Sequence, residues 1–98
     1  MVDIDAFQEL DKVKGGFMLL LIIYENSDCS KMDLKRMAKE QEIGGTAFNT
    51  AYRIIIEQGL ARNSEQQNGK QILTRLTKKG TLIAEQVERL RSFAEMEW

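Results

Sequence analysis

Thr46, Asn49, Thr50 and Arg53 are the side chains in this sequence best equipped for recognition, and their intervals of three, one and three set them on one face of a helix. Arginine can grip guanine through two hydrogen bonds, and asparagine can do the same with adenine. Threonine offers a hydroxyl and a methyl to a base edge or a phosphate. The quartet is therefore suited to reading the polar edges of a nucleic acid, although any solvated helix face carries the same residue types. Basic residues surround it: Lys31, Lys35, Arg36 and Lys39 come before, and Arg62, Lys70, Arg75, Lys78 and Lys79 come after. Cations of this kind position a protein on phosphates without reading sequence. Asp33, Glu40 and Glu42 lie among the first group, so ion pairs along a solvated helix are the alternative.

Covalent chemistry has little to work with. The chain has no histidine for general acid–base work, and its single cysteine, Cys29, has no second thiol for a disulfide or a metal pair. No carboxylate cluster has metal spacing, and Gly44-Gly45 lacks the Lys-Ser/Thr that completes a phosphate-cradling loop. No enzyme, metal site or cofactor is expected. Cys29 could sense oxidants if exposed beside Lys31, but a turn residue at a helix start is the plainer role.

The charge is unevenly placed. The formal total is −1, yet residues 46–80 hold six bases against two acids, while residues 1–26 hold five acids against two bases and residues 81–98 four against two. The basic excess coincides with the recognition quartet and the segment after it, and both ends of the chain are acidic.

The elements that must hold these residues follow from periodicity. Ile4, Phe7 and Leu10 recur every three residues between acids, which predicts a short amphipathic helix up to about Val13, broken by Gly15-Gly16. Phe17 to Tyr24 is an apolar run of eight residues, too short to cross a bilayer and suited to a helix enclosed on most sides. Asn26, Ser27 and Asp28 predict a turn. Ser30-Lys31-Met32-Asp33 has capping-box spacing, which starts a helix running to about Glu42 with Leu34, Met37 and Ala38 inward. The Gly44-Gly45 pair is expected to make the next sharp turn. A second helix from about Thr46 to Gln58 must bury Phe48, Tyr52 and Ile55, and Gly59 offers it a left-handed cap. Leu60 to Gln66 and Lys70 to Leu76 flank Asn68-Gly69, a strong hairpin signal, with Ile72, Thr74 and Leu76 on one strand face. Thr77 then caps a last helix whose Ile83, Val87, Leu90 and Ala94 form a heptad-like stripe, broadened by Leu82, Phe93 and Trp98.

Three groups of residues in this order carry a resemblance: Leu34 with Met37-Ala38, Ile55 through Gly59-Leu60 to Arg62, and Leu76-Thr77 with Gly80. Over roughly residues 17–90 the chain resembles the winged helix-turn-helix transcription regulators of the MarR-like and PadR-like superfamily. The resemblance implies a mainly α fold with a small β-hairpin (α+β), a winged helix-turn-helix with extra N- and C-terminal helices. One domain of residues 1–98 is expected, divided into an N-terminal helix (1–16), a winged-helix core (17–80) and a C-terminal dimerisation helix (81–98). It also implies a sequence-specific regulator of double-stranded DNA, with a recognition helix at about 46–58 in the major groove and a wing at about 60–76 on flanking DNA. Its contacts would be Thr46, Asn49, Thr50, Arg53, Lys35, Arg36, Lys39, Arg62, Lys70, Arg75, Lys78 and Lys79.

The acidic ends suit a partner other than DNA. Ile4, Phe7, Leu10, Ile83, Val87, Leu90, Phe93, Ala94 and Trp98 are expected to form a homodimer interface that sets two recognition helices about one DNA turn apart. Folding of both stripes onto the chain's own core is the alternative. A winged helix can also serve as a protein-binding adaptor or antirepressor, a reading that the net acidity and Ile54 at the edge of the reading face favour. Acids stand where an export signal needs bases, so a cytoplasmic location with no membrane partner is expected.

Overall fold

The computed structural model describes residues 4–26, 28–65 and 72–95. Asn68-Gly69, Lys70 and Trp98 lie outside the described residues, as do the side chains of Ile4, Phe7, Ile72, Phe93 and Ala94. The elements in order are α1 (Ile4–Asp11), α2 (Gly16–Glu25), β1 (Cys29–Ser30), α3 (Lys31–Glu40), α4 (Gly45–Glu57), β2 (Ala61–Glu65), β3 (Ile72–Leu76) and α5 (Lys78–Glu95). This is the mainly helical fold with a small antiparallel sheet that the sequence implies.

α2 is the hub because its sequence leaves it no polar face. Leu19, Leu20, Leu21, Ile22 and Ile23 are all buried, and the helix packs against α1, α3, α4, α5 and β3. α1 folds back onto it so closely that a Cβ on Gly16 would stand 2.6 Å from the Leu10 carbonyl oxygen. Leu10 therefore belongs to the chain's own core, with none of its surface exposed, and Ile83 joins it at 1%. Both are corrections to the partner-facing stripe expected from sequence: the intramolecular packing of α1 and α5 on α2 has already consumed these positions.

α3 begins as its capping residues require, with the Asp33 amide donating to the Ser30 hydroxyl at 3.2 Å. Its end departs from expectation. The Ile43 amide donates to the Ala38 carbonyl and the Glu42 amide to that of Lys39, with Glu42 at φ 63°. These two bonds and the left-handed residue form a Schellman closure, so Glu42 makes the turn and the glycine pair does not. Gly44 instead has extended backbone, φ −69°, as the residue before α4. α4 ends in the same closure at Gly59, φ 71°, where the sequence places it, with Leu60 donating to Ile55 and Gly59 to Ile56.

The sheet has the order β1-β3-β2, all antiparallel. The hairpin strands pair from Ala61 opposite Leu76 to Glu65 opposite Ile72. β1, which pairs Cys29 with Thr74 and Ser30 with Leu73, is an addition to the two-stranded ribbon that the sequence predicts. Thr77 opens α5 by accepting from the Gly80 amide at 3.1 Å while its hydroxyl donates to the Gly59 carbonyl at 2.6 Å. The first turn of α5 lies on the corner between α4 and β2, where a Cβ at Gly80 would fall 1.8 Å from the Leu60 oxygen.

Candidate nucleic-acid interface

α4 separates its two faces cleanly. Phe48, Ala51, Tyr52 and Ile55 are buried, whereas Thr46, Asn49 and Arg53 are exposed and Thr50 is half-buried. The Thr50 hydroxyl donates to the Thr46 carbonyl at 3.0 Å, which commits its proton to the helix and leaves its methyl for contact. Arg53 reaches Glu57 at 3.9 Å, with both side chains more than half exposed, a solvent-screened pair of little net strength. The guanidinium is thus readily redirected to a stronger acceptor. Ile54 is half-buried against the core, which weakens its claim as an exposed apolar contact.

Beside this face runs a groove lined by Met32, Lys35, Arg36, Lys39, Ile43, Gly44 and Gly45. It joins the outer side of α3 to the N-terminus of α4. No side chain caps α4, so the amides of its first turn and the positive end of its dipole open toward a groove with three cations on its wall. Arg36 is tied loosely to Asp33 at 3.4 Å, and both are well exposed. An extended anion complements this surface on charge and on hydrogen-bond donors alike.

Two further predicted contacts, Arg75 and Lys79, are held by close partners within the fold. Arg75 makes a two-pronged pair with Asp28, Nε to Oδ1 at 2.9 Å and a terminal nitrogen to Oδ2 at 2.8 Å. The Arg75 hydrogen bonds hold the Asp28 carboxyl below the ordinary carboxylate range, and Asp28 in turn raises the guanidinium. Asp28 sits at φ 62°, and the pair fastens the turn before β1 to β3. Arg62 and Arg75 stand directly opposite across the strands, so Asp28 also offsets a like-charge neighbour pair. Lys79 donates to the Gln58 carbonyl at 2.8 Å, at the C-terminal end of α4. The first turn of α5 disfavours a cation, but the negative end of α4's dipole favours one, which accounts for this position without any ligand. Lys35, Lys39, Arg62 and Lys78 are exposed.

Sequence periodicity does not show a cluster behind the reading face. The Tyr52 hydroxyl lies 2.7 Å from Asn63 Oδ1 on β2 and 2.8 Å from Thr74 Oγ1 on β3. The Lys31 ammonium stands over the Tyr52 ring, 4.9 Å from its centroid. A tyrosine at a core position followed by isolated polar residues on both strands is the one available signal, and it acquires meaning only with the strand register.

No protein-family model matches the chain, and no curated protein matches it. Solved structures do. A SlyA-like transcription regulator from Listeria monocytogenes is similar over 90% of this chain and 57% of its own, at 27% identity and a TM-score of 0.73. SSV1 F-93 is similar over 84% of this chain and 91% of its own, at 20% identity and a TM-score of 0.68. FabT of Streptococcus pneumoniae, solved in complex with DNA, is similar over 84% of this chain and 60% of its own, at 17% identity and a TM-score of 0.64. The fold is the winged helix of the MarR-type transcription regulators. The chain spans about three fifths of the length of the two bacterial regulators and most of F-93. Among the described residues, no helix is long and apolar enough to cross a membrane, and no cluster of metal-ligating side chains is present.

Proposed function

We propose that the chain is a regulator that binds double-stranded DNA in a sequence-specific way, as a homodimer. The observation that carries this reading is the outward face of α4, where Thr46, Asn49 and Arg53 project beside a basic groove that ends at an uncapped helix N-terminus. In the major groove, Arg53 and Asn49 read base edges and Thr46 and Thr50 contact a base edge or a phosphate. Lys35, Arg36 and Lys39 grip the backbone alongside, and Arg62 and Lys78 serve the flanks. The DNA present in the FabT structure supports this use of the fold. The dimer rests on the mainly apolar groove between α2 and α5, lined by Phe17, Met18, Leu21, Val87 and Leu90 with Arg91 at its edge, and on the exposure of Leu90 at 62%. A second α5 from a two-fold partner covers both.

Fluorescence anisotropy on a labelled duplex at rising salt tests the reading. Expected is a linear fall of log affinity with log salt, by about 0.9 for each neutralised phosphate. Affinity indifferent to salt overturns it and favours the second reading, a polypeptide-binding adaptor, to which Met32 lends support by standing 82% exposed on the rim of the basic groove.

A further inference from the structure

Tyr52 joins three elements through one hydroxyl. It lies on α4, 7% exposed, while Asn63 and Thr74 stand opposite each other in the β2–β3 register and Lys31 covers the ring from the start of α3. The third edge of the triangle, Thr74 Oγ1 to Asn63 Oδ1, is 3.3 Å. The two hydroxyls hold one proton each and the amide oxygen only accepts, so two of the three edges can be hydrogen bonds at one time. The edges of 2.7 and 2.8 Å settle which: Tyr52 donates to Asn63, and Thr74 donates to Tyr52. This chain of bonds satisfies Thr74, the one polar residue fully buried among the described residues, and fixes the ring at its rim.

The consequence lies in the attachment of the ribbon. Leu60, just past the Gly59 turn, leads straight from α4 into β2. At the same base β3 runs into α5 and pairs with β1, and these attachments hold the β3 side of the ribbon while leaving its tilt against α4 to be set. The buried Leu60 and Ala61 resist that tilt by apolar packing, which does not itself select one direction. The Tyr52 bonds add a directional attachment between α4 and both ribbon strands, reaching β2 at Asn63, and it falls on the flank of α4 that also carries Asn49, one turn back.

We propose that the Tyr52–Asn63–Thr74 bonds set the angle between the reading face of α4 and the β2–β3 ribbon, which makes Tyr52 a positioning residue that governs recognition of flanking DNA without touching it. The flanking-DNA half of this proposal rests on the DNA-binding reading above, and the angle itself does not. The substitutions Y52F and T74V remove one bond or more with little change of volume, and T74S retains the hydroxyl.

Two measurements test it. In the free protein, residual dipolar couplings of α4 and of the β2–β3 amides should fit one alignment tensor in the wild type and T74S and two in Y52F and T74V. On DNA, the wild type should bind a duplex with flanks more tightly than one trimmed to the central site, and this ratio should fall to about one in Y52F and T74V while helical circular dichroism is unchanged. T74S should restore it. A single tensor in Y52F, or equal behaviour of T74V and T74S, overturns the proposal. Failure of the wild type to bind any duplex overturns the DNA reading instead, and the couplings measured without DNA separate the two outcomes.

Discussion

Arg53 and Lys35 face the same solvent but are given different work, and a pair of substitutions separates them. Arg53→Ala should weaken binding to the preferred sequence by about 1–3 kcal/mol, and to scrambled DNA by much less. Lys35→Ala should weaken both alike and flatten the salt slope by about one. Electrophoretic shifts on matched and scrambled duplexes, repeated at two salt concentrations, check both. Asp28 makes a different prediction. Its carboxyl is held low by Arg75, so its contribution to stability is present above the ordinary carboxylate range and is lost as pH falls through the lowered folded value. Thermal melts should therefore show an acid limb at low pH that shrinks in D28N, with the variant melting below the wild type near neutrality and the gap closing as pH falls. The outward direction of Thr46, Asn49 and Arg53 is legible in the sequence because helical period alone decides it, whereas Thr50 lies at the edge of that face and is half-buried. The partners of Arg75 and Lys79 are not legible there, since they lie 47 and 21 residues away and depend on the strand register and on where α5 docks.

The elements themselves were legible to within a few residues, because caps and apolar period speak locally. Ser30, Gly59 and Thr77 all cap where their side chains or backbone freedom allow. Two features were not. β1 is two residues long, too short for any alternation to mark it, and it exists because β3 has an open edge beside it. Sequence alone points to Gly44-Gly45 for the turn between α3 and α4 because glycine most readily takes positive φ, yet Ile43 is 5% exposed, and burying it at the helix end places Glu42 in the left-handed position. Glu42 accordingly carries backbone strain, of order 1–2 kcal/mol for a non-glycine residue there. Glu42→Gly should relieve part of it and raise the melting temperature by several degrees, as a domain of this size gains about 4–8 °C per kcal/mol. A melting temperature equal to or below the wild-type value in a calorimetric scan would count against the strain.

At the scale of the whole molecule, the basic excess lies in residues 46–80 and both ends of the chain are acidic, a division that suits the proposed approach of the middle to phosphate. The sequence shows this division, but it does not show how much of the terminal apolar stripe remains for a partner. Packing of α1 and α5 on α2 takes Leu10 and Ile83 into the core and leaves Leu90 outside. Leu90→Glu should therefore convert a dimer to a monomer in sedimentation equilibrium with an unchanged melting profile of the single chain, whereas a dimer that persists in this variant would place the interface elsewhere.

The central claim, that the exposed face of α4 reads base sequence, is tested most directly by selecting bound duplexes from random DNA with the wild type and with Arg53→Ala. The wild type should enrich a two-fold symmetric motif with half-sites about one helical turn apart, and the variant should lose preference at one position in each half. Enrichment of no motif, or of the same motif by both proteins, would contradict it.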